Sequence, residues 1–173
     1  LRNEAGARWN WQGVSAFSLA HDISQGHDTE VEAFLDWANA NGVTVVRVFT
    51  TAVNMFDLSP DAGREGLDRV LTLAASRGIY VEAVGLADTR ARTFDHSDHI
   101  RRLGALGAYH KNLLIEVANE PNHETQTSEV KDVNVLLDLQ GSIPDDVLVS
   151  LGASHGPDDE NPIYWQGDYA TVH

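Results

Sequence analysis

The sequence predicts an α/β fold: a parallel sheet of about six strands with helices packed outside it. Three observations lead there. Apolar, β-branched runs alternate strictly with amphipathic helical stripes. The runs are nearly continuous in apolar character, the mark of strands buried on both faces. Polar residues able to do chemistry gather just past the ends of those runs.

Residues 11–17 form the first short apolar run. Thr29 with Glu32 three places on has the form of a capping box, and Val31, Phe34, Leu35 and Ala38 recur as one helical stripe. Gly42 ends that helix, and residues 43–49 are the second strand. Ser59-Pro60 opens the next helix, whose stripe is Leu67, Val70, Leu71 and Ala74, and Gly78 closes it. Residues 79–86 are the third strand. Asp95 or Ser97 caps a helix carrying Ile100, Leu103 and Leu106. Residues 113–118 are the fourth strand, and Val130, Val133 and Leu137 stripe a helix that stops near Gly141 and Pro144. Residues 147–151 are the fifth strand. A loop rich in Gly, Pro and Asp leads to a sixth at 169–173. Strict alternation of this kind is solved by crossover connections with helices outside a parallel sheet.

Residues 1–173 suit one domain, and nothing resembling an interdomain linker divides them. Twelve Lys and Arg stand against 26 Asp and Glu, a formal charge of −14. Such a surface repels phosphate backbones and anionic lipid, so neither nucleic acid nor a membrane is an expected partner. No apolar run approaches the ~20 residues of a membrane span. The absence of Cys excludes disulfides, thiolate metal sites and a cysteine nucleophile. Neither a dinucleotide-binding Gly-x-Gly-x-x-Gly nor a phosphate-binding loop is present, and no cofactor is implied. The sequence starts at Leu1 without a recognisable leader, so localisation stays open, secretion included.

In a (β/α) barrel the site lies at the carboxyl ends of the strands. Those ends carry Phe17 and His21, Arg47 and Phe49, Asp88, Asn119 and Glu120, Ser154 and His155, and His173. The segment from Leu113 to Pro121, ending Asn119-Glu120-Pro121, resembles the fourth-strand signature of the retaining (β/α)8 glycoside hydrolases, the cellulase-like clan that includes glycoside hydrolase family 5. Arg47 resembles that clan's second-strand arginine. Residues 11–15 resemble its first-strand opening, and Thr171-Val172-His173 its sixth-strand end.

The resemblance implies an incomplete TIM (β/α)8 barrel, its strands one to six present and strands seven and eight absent. It implies that Glu120 is the general acid/base and that Asn119 binds the sugar 2-hydroxyl. Arg47 is implied to steady the nucleophile carboxylate, which the clan carries on strand seven and which this chain therefore lacks. The expected substrate is an oligo- or polysaccharide with β-linkages, and the chain alone is expected to be inactive. A glycosidic leaving group needs a proton, and a partly buried carboxyl at a strand end favours the acid form that supplies it.

Other substrate-binding candidates are Asp88, His155, His173 and Trp165, the last as a platform for an apolar sugar face. Trp11 begins the first strand, at the opposite end of the barrel, and reads as packing. Trp37 lies beside its helix's apolar stripe. Glu82 and Glu116 lie within strands and read as ion-paired structural acids. Two rival readings remain. One is a metal-dependent barrel hydrolase using His155, His173 and Asp88, although no His-x-His occupies the first strand. The other is a non-catalytic carbohydrate-binding half-barrel. His96 and His99, three apart at a helix start, are a weaker metal candidate, and no metal is expected.

Overall fold

The computed structural model describes residues 8–154 and 165–171. Five parallel strands form one sheet in chain order: β1 (Gly13–Ser15), β2 (Val45–Phe49), β3 (Tyr80–Leu86), β4 (Leu113–Ala118) and β5 (Leu148–Ser150). Between them run α1 (Leu19–Ser24), α2 (Asp28–Ala40), α3 (Pro60–Ala75), α4 (His96–Ala105) with a short 3-10 turn, and α5 (Val133–Gln140). The expected α/β architecture, part of a (β/α)8 barrel, is present.

Alternation along the strands explains the layers. Val46 and Val48, Val81 and Ala83, and Ile115 and Val117 join the helices in one apolar core. Leu35, Leu67, Leu71, Ile100, Leu103 and Leu136 fill it from the helix side. Each such side chain contributes about 1.5–3 kcal/mol through removal from water. The neighbouring positions on the other face are Arg47, Glu82, Glu116 and Ser150, all buried. A second, small cluster of Phe49, Ala52, Val84 and Ala87, with Phe17 and Phe56 against it, closes that face above them.

Local signals are mostly obeyed. Ser59 Oγ accepts from Ala62 N–H at 3.3 Å with Pro60 in the first turn, and Asp95 caps α4 through Asp98 N–H. Gly42 and Gly78, at φ +75° and +69°, turn the chain out of α2 and α3. Within α3 the glycines serve close approach. A Cβ on Gly63 would collide with the Thr50 carbonyl, and one on Gly66 with the Ala20 carbonyl.

Two expectations fail, and one helix went unread. The capping box does not form: α2 starts at Asp28, so Thr29 is inside the helix, and no side chain caps its N-terminus. Glu32 instead faces Arg69 on α3 and Arg77 just beyond its end, at 3.9 and 3.5 Å. A separate helix, α1, stands before α2, turned by Gly26 at φ +81°. The sixth strand is not formed by residues 169–171, the part of it within the described residues. Asp168 is the reason. Its N–H donates to Val149 O at 2.7 Å and its carboxylate accepts from Val149 N–H at 2.9 Å. A side chain thus takes one place in the ladder, and the segment follows β5 without regular pairing.

Candidate active site at the strand ends

β4 delivers the site. Beyond Ala118, Asn119 N–H still donates to Leu86 O at 2.9 Å, so the strand's alignment with β3 persists to the triplet. Glu120 then turns sharply, at φ +43°, a region rarely occupied by residues other than glycine. His123 N–H donates to Glu120 O at 2.9 Å and closes the turn. Buried Gln126 locks the loop: its amide donates to Asn119 O at 2.5 Å and its carbonyl accepts from Thr89 Oγ1 at 2.7 Å. Such left-handed strain collects at functional sites, where surrounding contacts maintain it.

Asn119 and Glu120 line a cavity of about 1000 Å³ with Arg47, Phe17, Asp88 and His123. Arg47, 9% exposed, enters from β2. Its Nε donates to Glu116 Oε2 at 2.6 Å, and its Nη2 to Glu116 Oε1 at 2.8 Å and Asn119 Oδ1 at 3.0 Å. Its guanidinium also lies 5.5 Å from the Phe17 ring centroid and 5.6 Å from that of Phe49. Burial opposes the charge, but the Glu116 carboxylate outweighs it and holds Arg47 protonated. Because Arg47 engages the Asn119 side-chain oxygen, that amide is oriented with its nitrogen away from the guanidinium.

Glu82 sits beside this pair. Burial, reinforced by the Glu116 charge, pushes its carboxyl up to about 7, against a hydrogen bond from Tyr169 and the charge of Arg47. Burial and the same two carboxylates raise the Tyr169 phenol well above its ordinary value. The Tyr169 ring lies 5.4 Å from that of Trp11, so it reaches across the open side of the sheet.

The other candidates separate clearly. Asp88 lines the cavity, but its carboxylate holds the loop after β2. It accepts from Val53 N–H at 3.2 Å, Asn54 N–H at 3.0 Å and the Asn54 amide at 2.8 Å. Trp165 is 59% exposed and is not among the cavity-lining residues, contrary to its expected role as a platform. It precedes Asp168, which binds the chain to β5; Tyr169, not Trp165, then turns inward. His155 and His173 lie outside the described residues. Trp11 lies at the amino-terminal end, edge-on to Trp9, which in turn meets Tyr80, the first residue of β3. Both tryptophans line the lower part of the same cavity.

His99 is buried and structural. Its Nε2 lies 3.1 Å from both Thr50 Oγ1 and Gly85 O, and its Nδ1 3.1 Å from Arg64 Nη1. Desolvation, with the Arg64 charge adding to it, lowers its pKa to about 3. His96 lies 3.6 Å from Glu129 instead. Among the described residues no cluster of three or more His, Asp or Glu could hold a metal ion. Sequence reasoning missed His123 as a lining residue; its only signal was its place three residues past Glu120.

No family model matches the sequence, and no curated protein matches it. Solved structures do match. A GH5_18 protein from Streptomyces cattleya, in complex with Manb1-4GlcNAc, superposes with a TM-score of 0.59 at 21% identity, over 84% of this chain and 45% of that one. An exo-beta-1,4-mannosidase from Opitutaceae bacterium strain TAV5 matches with a TM-score of 0.70 at 16% identity, over 100% of this chain and 39% of that one. An endo-1,4-beta-D-mannanase from Thermotoga petrophila RKU-1 gives a TM-score of 0.52 at 15% identity, over 82% and 55%.

The fold is therefore that of part of a (β/α)8 barrel, of the kind found in solved glycoside hydrolases. More narrowly, it resembles the family 5 type, and the chain spans less than half the length of the first of these matched structures.

Proposed function

We propose that residues 1–173 form the acid/base portion of a retaining glycoside hydrolase site for β-linked glycans. The observation that carries this reading is Asn119-Glu120 at the end of β4, lining the cavity, with Arg47 bonded to Asn119. The matched structures include a β-1,4-mannosidase and a β-1,4-mannanase, which favours β-mannosides as the substrate class.

In this reading Glu120 donates its proton to the glycosidic oxygen as the bond to the anomeric carbon breaks. Its carboxylate later takes a proton from water. Asn119 Nδ2 donates to a sugar hydroxyl, and Phe17, at the same end of the sheet, offers an apolar contact to the ring. Retention requires a second carboxylate about 5–5.5 Å from the first. Glu116 is engaged by Arg47, and Glu82 lies one pleat deeper between β2 and β4. The reading therefore assigns the nucleophile to a further strand, and this chain alone binds glycan without cleaving it.

Titration of the chain with β-1,4-mannobiose, followed by amide and Asn119 side-chain NMR shifts, tests this. Saturable shifts around β4 with no release of mannose are expected, and they weaken in Asn119→Ala. A chain that leaves mannobiose, cellobiose and xylobiose unbound sinks the reading. Glu120-dependent hydrolysis by the chain alone removes the assignment of the nucleophile to another strand.

A further inference from the structure

The chain is strongly acidic, and most of the described Lys and Arg side chains are paired with a carboxylate. Arg47, Arg64, Arg69, Arg77, Arg92, Arg101, Arg102 and Lys111 all form ion pairs. Among the described residues only Arg8, Arg90 and Lys131 have no carboxylate partner. Two of those three, Arg90 and Lys131, line one depression of about 430 Å³ with Gln126, Thr127 and Ser128. Thr127 Oγ1, shielded from water, has no hydrogen-bond partner.

Two like charges share a cavity on a surface with carboxylates in excess. An anion between them would relieve that repulsion. Arg90 is tethered for such a role: its N–H donates to Thr125 O at 3.0 Å and its Nη1 to Glu124 O at 3.0 Å. A planar fork and an ammonium with a neighbouring Ser hydroxyl suit a carboxylate or sulfate. The net charge of −14 disfavours a polyanion and leaves a small, singly placed oxyanion as the ligand.

Position relates this depression to the main cavity. The loop after β4 has His123 and Thr125 on the main cavity and Gln126 and Thr127 on this one. We propose that Arg90, Ser128 and Lys131 form a subsite for an oxyanion substituent, a carboxylate or sulfate carried on a glycan that also reaches the Asn119-Glu120 cavity. The glycan as carrier rests on the proposed function; the oxyanion site does not.

The test titrates the chain, at constant ionic strength, with sodium sulfate, sodium glucuronate and neutral glucose, reading the NMR signals of Arg90 Nε–H and the residue 126–131 amides. Saturable millimolar binding of sulfate or glucuronate, with none of glucose, is expected. The tighter of the two anions identifies the substituent. Lys131→Gln, at an exposed position, and Arg90→Gln should each weaken binding about fivefold or more. No saturable shift with either anion, or binding equal in both variants and the parent chain, overturns the proposal. Mannobiose binding, measured in parallel at the β4 amides, separates the two ideas. Its loss with anion binding intact removes the proposed function alone, and the reverse outcome removes this subsite alone.

Discussion

Arg47 and Glu116, 69 residues apart in sequence, form a two-pronged ion pair inside the sheet's concave side, at 2.6 and 2.8 Å. The carboxylate is wholly out of water and the guanidinium nearly so. A buried pair is weak evidence for net stability, but breaking it leaves an uncompensated charge. Its third contact, Nη2 to Asn119 Oδ1, links the pair to the candidate site.

Replacement of one partner is therefore expected to be severe. Glu116→Ala should lower unfolding free energy by about 3–5 kcal/mol. The double variant Glu116→Leu with Arg47→Met should recover much of that loss. Urea denaturation of the three proteins measures both effects, and a Glu116→Ala loss below ~1 kcal/mol contradicts the geometry.

Glu82 makes stability depend on pH in an unusual direction. Burial raises its folded pKa from 4.5, the ordinary value for a Glu carboxyl, to about 7. Between those values the native state holds a proton that the unfolded chain has released, so this group's contribution falls as pH rises from about 4.5 to 7. Relative to Glu82→Gln, the parent protein should lose on the order of 2 kcal/mol across that window. Parallel thermal melts at pH 5 and 7.5 check it.

His99 acts with the opposite sign. Its pKa falls from 6.5 to about 3 because burial disfavours the imidazolium. The unfolded chain takes up the proton first, so stability is lost as pH falls below about 6.5. His99→Asn should flatten that acid limb, as read from melting temperatures between pH 4 and 7.

The α1–α3 contact depends on a missing methyl. Gly66→Ala places a Cβ against the Ala20 carbonyl and should destabilise the chain by about 1–3 kcal/mol, despite the better helix propensity of alanine. An exposed control such as Glu65→Ala in the same helix should be within ±0.5 kcal/mol of the parent.

The backbone at Glu120 offers a test of stored strain. At φ +43°, Glu120→Gly should be more stable than Glu120→Ala by about 1 kcal/mol, because glycine accepts the left-handed region without a steric penalty. Equal denaturation midpoints for the two variants would show that the turn relaxes when the side chain is removed.

Local chemistry determined much of this protein. The continuous β-branched runs became β2 to β4, with β4 at Leu113–Ala118 as read, because such runs are stable only when covered on both faces. Ser59-Pro60, Asp95 and Gly42 act within a turn of their own positions and were legible for that reason. Asn119-Glu120-Pro121 was visible as a strand end. Arg47, lying on the inner face of its strand, could be expected to need a partner.

Tertiary structure decided the rest. No spacing in the sequence announces that Glu116 is the partner of Arg47, or that Glu82 competes for the same cation; register across three strands brings them together. Thr29 and Glu32 match a capping box, yet Glu32 faces Arg69 of α3 and Arg77 just past it, and the helix begins two residues earlier than that cap would set. Asp88 reads in sequence as a substrate-binding candidate, and it clamps a loop because the chain after β2 presents it with three donors. Trp165 was the aromatic residue the sequence singled out, yet Asp168 joins the edge of β5 and it is Tyr169, which no local signal marks, that enters the interior. Each of these outcomes depends on groups brought close by folding over tens of residues, where distance in space, not position along the chain, sets the energy.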